Sequence, residues 1–156
     1  MNDTKTPAST AGELFDSGLY CAESVLLALA RAQGRESELV PGIATGFCSG
    51  LSQTCGPCGA VTGAVMGIGM ALGREQSGQA AGPAYQATQD FVTAFRDRFG
   101  TTNCTDLLDG CDLGTAEGRQ RFGEEKLIGR CRSYTATAAD LAAKAIDKVV
   151  ERAWAE

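Results

Sequence analysis

Apolar residues in this chain recur at helical steps, and no segment sustains the alternation of β-branched and polar residues that marks a half-buried strand. From about Ala11 to Arg31, Leu14, Gly18, Cys21, Val25 and Leu29 follow at steps of four, three, four and four. That spacing stacks them on one face and turns Cys21 into the core from mid-helix. Gly34 is placed to stop the helix, and Glu36 to Thr45 reads as a short second helix entered near Pro41. Gly46 to Pro57, GFCSGLSQTCGP, has no period and reads as a loop. Beyond it Cys58, Val61, Val65 and Ile68 mark another helix, with Gly59, Gly63 and Gly67 on a neighbouring stripe. An internal glycine costs around 1 kcal/mol relative to alanine, so the stripe needs a compensating close approach, most simply of a packed helix.

Arg74 to Gly82 is a polar connection, Pro83 opens a helix carrying Phe91, Phe95 and Phe99, and Gly100 ends it. Thr101 to Asn103 supply capping side chains for a short turn from Cys104 to Gly110, with Cys111 just beyond. Ala116 to Leu127 is helical or irregular. A long terminal helix then presents Cys131, Tyr134, Ala138, Leu141, Ala145 and Val149 on one face, with Asp140 and Lys144 as an exposed pair. The expected fold is all-α: a single-domain helical bundle of about five to six helices with a cysteine-bearing, glycine-rich loop. Residues 1–10 read as a disordered lead-in and residues 11–156 as the domain.

Composition agrees. A chain of 156 residues suits one domain, and 44% hydrophobic residues against 21% charged is enough for one core. Lys plus Arg number 14 against 19 Asp plus Glu, so the net charge is 14 − 19 = −5. With a pI near 4.8 the basic footprint of a nucleic-acid binder is missing, and anionic lipid is disfavoured as well. The opening MNDTKTPASTAGE has neither a basic leader with an apolar run nor a small-residue cleavage site. The longest apolar stretch, Ala60 to Leu72, is about 13 residues and is broken by glycines, against the roughly 20 of a membrane span. The expectation is a cytoplasmic protein without membrane or nucleic-acid partners; the glycine stripe and apolar faces leave room for a homodimer.

Seven cysteines accompany no histidine. Ser-His-Asp and Cys-His nucleophile pairs, His-containing zinc sites, Rieske clusters and the Cys-x-x-Cys-His haem attachment are therefore excluded. In a reducing cytosol an odd set of cysteines points to metal ligation or redox chemistry before a disulfide scaffold. Cys58, Cys104 and Cys131 each fall at or beside an expected helix start, where unpaired amides and the helix dipole favour a thiolate, and Arg130 and Arg132 flank the last. Cys55-Gly56-Pro57-Cys58 equals the thioredoxin redox tetrapeptide, but no βαβ pattern surrounds it. It can form a reversible disulfide, or supply two ligands to zinc or an iron–sulfur cluster.

The longer pattern resembles the C_GCAxxG_C_C family of redox-active proteins. Gly18-Leu19-Tyr20-Cys21-Ala22-Glu23-Ser24-Val25-Leu26 is similar to its opening block, and Ile43-Ala44-Thr45-Gly46-Phe47 precedes its glycine-rich loop. Cys58-Gly59-Ala60-Val61-Thr62-Gly63-Ala64-Val65-Met66 is similar to its central block and Phe99-Gly100-Thr101-Thr102-Asn103-Cys104-Thr105-Asp106-Leu107-Leu108 to its third, with Cys131 as the last cysteine. The resemblance implies an all-α redox protein whose shared cysteines are Cys21, Cys58, Cys104 and Cys131. A related module in a split-Soret type cytochrome carries an iron–sulfur centre.

The first expectation is thus electron transfer through an iron–sulfur cluster on those four thiolates, with Cys55 or Cys111 as substitutes and neither haem nor nucleotide. The expected partner is a redox protein or a small-molecule oxidant or reductant. The alternatives are a thiol–disulfide oxidoreductase or relay in which Cys58 attacks and Cys55 resolves, and a structural zinc site. Cys48, in the loop and outside the shared set, is expected to tolerate serine far better than Cys58.

Overall fold

Gly18 adopts φ +109°, a conformation that L side chains rarely take, and the first expected helix breaks there. It becomes α1 (Pro7–Asp16) and α2 (Cys21–Ala32). The computed structural model, which describes residues 4–155, continues with a 3-10 segment (Gly42–Phe47), α3 (Cys48–Gln53), α4 (Gly59–Leu72), α5 (Gly82–Phe99), α6 (Cys104–Leu107), α7 (Ala116–Glu124) and α8 (Ile128–Ala155). The domain is all-α, with no strand among the described residues. Eight helices among those residues replace the expected five or six because Gly18 divides the first and the short turns α3 and α6 stand alone.

Local chemistry sets most of these limits. Thr6 caps α1 by accepting from Ser9 N, so the helix starts at Pro7, before the Ala11 expected from periodicity. Residues 1–3 of the expected lead-in lie outside the described residues. Glu36 to Thr45 does not form the expected helix. Leu39 and Ile43 are exposed, so no apolar face holds it, and turns lead into the 3-10 segment instead. Gly100 closes α5 in the left-handed conformation with its N–H on Arg96 O, as expected from sequence.

The bundle centres on α4, packed against α2 and α8, with α1 and α5 completing it. Gly63 brings α4 into backbone contact with α2: a Cβ there would lie 2.6 Å from Ala22 O and 2.8 Å from Ala22 Cα. Gly67 faces Leu29 in the same way, so the stripe at these two positions is helix packing. Phe91 and Phe95 are fully buried and join Phe99 and Tyr134 in one aromatic cluster, with ring centroids 4.8–6.4 Å apart. The Tyr134 hydroxyl donates to Leu107 O at 2.8 Å and ties α8 to α6. No helix among the described residues is long and apolar enough to cross a membrane.

Candidate functional site

The segment expected to be a plain loop is one turn of left-handed helix. Ser49, Gly50, Leu51, Ser52 and Gln53 all have φ between +47° and +70°. Each non-glycine residue in that conformation costs roughly 1–2 kcal/mol. Partial compensation comes from Thr54 N and Gly56 N, which both donate to Gly50 O (3.2 and 3.0 Å), and from Ser52 Oγ, which donates to Gly46 O at 2.9 Å. The turn presses Gly50 onto Cys104, where a Cβ would come within 2.7 Å of the Cys104 Cβ.

A short antiparallel pairing joins the two other cysteine-bearing segments. Pro57 bridges Asn103, Cys58 N donates to Thr102 O at 2.8 Å, and Cys104 N donates to Gly56 O at 3.1 Å. Asn103 both caps α6, accepting from Asp106 N, and donates from Nδ2 to Cys55 O at 2.7 Å. On the other side, buried Glu23 accepts from Tyr20 N (2.8 Å) and from Thr45 Oγ1 (2.7 Å). This fastens the start of α2 to the 3-10 segment.

These clamps gather Cys21, Cys58, Cys104 and Cys131 around one cavity of about 380 Å³, whose wall also includes Phe122 and Arg119. All four sit at helix N-termini. Cys58 is the N-cap of α4, Cys104 opens α6, Cys131 lies in the first turn of α8, and Cys21 opens α2 where mid-helix was expected. Cys55 is exposed and outside this wall. Cys111 is buried in a side cluster, its thiol donating to Gly118 O at 3.1 Å, and does not reach the cavity. All seven thiols are free of disulfides. Among the described residues no three His, Cys, Asp or Glu side chains are gathered tightly enough to hold a single metal ion.

The electrostatics reverse the expected assignment of the thiolate. Burial pushes the Cys104 thiol up to about 11 and the Cys131 thiol up to about 12, and it raises Cys58 further; the nearby Cys21 charge adds to all three. Helix starts are where the sequence places them, but desolvation outweighs the dipole. The arginines beside Cys131 do not rescue it. Arg130 pairs with Asp109 at 2.6 Å, and Arg132 holds Asp16 through both its Nε and Nη2.

Cys21 instead is lowered to about 7, because the Cys48 thiol acts as donor to its sulfur and the backbone amides of Ser49, Ala22 and Cys21 also favour the thiolate, against the cost of burial. In the reduced, metal-free protein Cys21 should therefore be alkylated by iodoacetamide with a half-maximal rate near pH 7. Cys104 and Cys131 should stay inert at neutral pH. Mapping after a brief pulse checks this, and equal labelling of the cavity cysteines would contradict it.

Cys48 is the residue that sequence reasoning misplaced. It is 2% exposed and lies against Cys21, so the mild Cys48→Ser effect expected for a loop position no longer follows. No period or motif flags it, since its partnership depends on the left-handed turn. Arg119 and Phe122 were missed because they sit in α7, whose glycines hide the helical pattern.

Four free thiols at helix starts around one pocket form a candidate cysteine-based site in a helical bundle. The chain belongs to the family described as "Putative redox-active protein (C_GCAxxG_C_C)", whose model matches residues 19–145. Neither the curated proteins nor the solved structures give a match.

Proposed function

We propose that the protein transfers electrons through an iron–sulfur cluster ligated by Cys21, Cys58, Cys104 and Cys131. The observation that carries this reading is that these four thiols, spread over most of the chain, open on the same cavity. The donor set fits: four thiols and no imidazole match all-cysteine cluster ligation. A lone zinc fits less well, since Zn–S bonds of about 2.3 Å require sulfurs drawn close around one point, and no such gathering is present among the described residues. When bound, the cluster supplies a one-electron couple.

The chain's own residues would do the rest. The N-termini of α2, α4 and α8 direct positive dipole ends toward the ligands and offset negative charge. Phe15, Leu113, Phe122 and Ile128 make the cavity wall largely apolar, and Arg119 adds the one cation on it among the described residues. The raised thiols must release protons on loading, so uptake should weaken as pH falls. A reducing cytoplasm, and a redox partner protein or small molecule, belong to the same reading. The Cys55/Cys58 exchange has less support, because Cys55 is exposed, Cys58 is buried, and burial holds the Cys58 proton in place.

Anaerobic reconstitution with iron and sulfide tests the proposal. Wild type and Cys111→Ala should gain visible charge-transfer absorption and bound iron and sulfide, whereas Cys58→Ser and Cys104→Ser should lose most of both. Folded wild-type protein that stays colourless and iron-free would sink it.

A further inference from the structure

Cys48 lies outside the four cavity cysteines, yet it is buried and belongs to the apolar cluster against which Cys21 packs. Both residues crowd the same point of α4. A Cβ on Gly59 would strike the Cys21 sulfur and lie 3.0 Å from Cys48 Cα. The absence of a side chain at Gly59 is what lets the two cysteines meet. Cys48 also stands between a 3-10 segment and the left-handed turn, with no long helical ladder fixing its backbone. In the neutral pair its S–H donates to Ala44 O at 3.5 Å.

We propose that Cys21 and Cys48 form a peroxide-reactive dithiol, Cys21 as the attacking sulfur and Cys48 as the resolving one. Cys21 lines the cavity, where a small hydroperoxide has room to enter, whereas Cys48 does not. Its sulfur attacks the terminal peroxide oxygen; the O–O bond breaks, and the alcohol or water leaves after taking up one proton. Cys21 is left as a sulfenic acid. The Cys48 thiol then gives up its proton and attacks the Cys21 sulfur; the S–O bond breaks, the hydroxide leaves as water, and a Cys21–Cys48 disulfide forms. Two thiols supply two electrons, and one hydroperoxide is reduced to alcohol plus water. Cys55 has no part in the step: it is exposed and away from Cys21's cavity. The pair needs no metal, so the proposal does not rest on the cluster reading. If both hold, the disulfide removes one cluster ligand.

The test uses the reduced, iron-free full-length chain and one equivalent of hydrogen peroxide, followed by thiol blocking, intact mass and non-reducing peptide mapping. Wild type should lose two of its seven thiols and show one cross-link, Cys21 to Cys48, that dithiothreitol reverses. Cys48→Ser should instead leave a sulfenic acid on Cys21, captured as a single dimedone adduct, and Cys55→Ser should behave as wild type. If Cys48→Ser does not fold, the wild-type cross-link map still decides. A cross-link from Cys21 to Cys55 or Cys58, or folded wild type that keeps all its thiols, overturns the proposal. Failure of iron and sulfide loading leaves these outcomes unchanged, so the two readings fall separately.

Discussion

Gly63→Ala should destabilise the protein by about 2 kcal/mol or more, even though alanine is the better helix former by around 1 kcal/mol. The added methyl would meet the backbone of Ala22, at 2.6 Å from its oxygen and 2.8 Å from its Cα. A backbone cannot rotate away as a side chain end can. The α2–α4 interface must open, and with it the contacts that seat buried Val25, Leu29 and Ile68. Gly69 in the same helix is the control. It is exposed, with nothing within 4 Å of the position a methyl would take, so Gly69→Ala should stabilise by about 0.5–1 kcal/mol. Thermal melts should move in opposite directions, by roughly 2–4 °C per kcal/mol for a domain of this size. Two shifts of the same sign would refute the backbone-contact argument.

The reduced, metal-free protein should also lose stability steeply above pH 9. Cys104 and Cys131 are raised to about 11 and about 12 in the folded state, with Cys58 raised beyond them, while unfolded thiols ionise near 8.5–9. Folded groups that hold protons longer than unfolded ones contribute stability that is fully present below the unfolded value and lost as pH rises toward the folded one. Cys21 has the opposite sign. Its thiolate contributes above the unfolded value, and that contribution disappears as pH falls through about 7. Stability should therefore climb modestly between about pH 7 and 8.5, then drop by on the order of 2–5 kcal/mol by about pH 10.5. Half-buried Tyr134, raised first by desolvation, acts in the same direction as the three thiols. Urea midpoints across this range check the sign, and Cys131→Ala should flatten the alkaline limb. A midpoint that rises through pH 10 would contradict the burial argument.

Much of the architecture is legible because burial leaves a period. The faces through Val25 and Leu29, through Phe91 and Phe95, and through Tyr134 and Ala138 all become core. The break at Gly18 was hidden because glycine fitted the stripe by spacing while its backbone left the helix. The left-handed turn was hidden more deeply, since Ser49, Leu51, Ser52 and Gln53 carry no preference for positive φ. The same limit shaped the site. Sequence order reveals where helices begin, and so the dipole, but not how much water each sulfur loses. Nor does it show that the Cys48 thiol donates to the Cys21 sulfur, which is why the depressed thiol is Cys21 and not the three residues whose positions first suggested it.

The scattering of the cavity wall along the chain also has a consequence for biosynthesis. Domains emerge from the ribosome N-terminus first, at about 5–20 residues per second. Cys21, Cys58 and Cys104 therefore appear before the last wall of their pocket, since Cys131 lies in the first turn of the final helix. A nascent chain holds three thiols before the helix that bears the fourth, so the pocket forms only once α8 has emerged. A product that stops before α8 carries three of the four cavity cysteines but not the helix that bears the fourth.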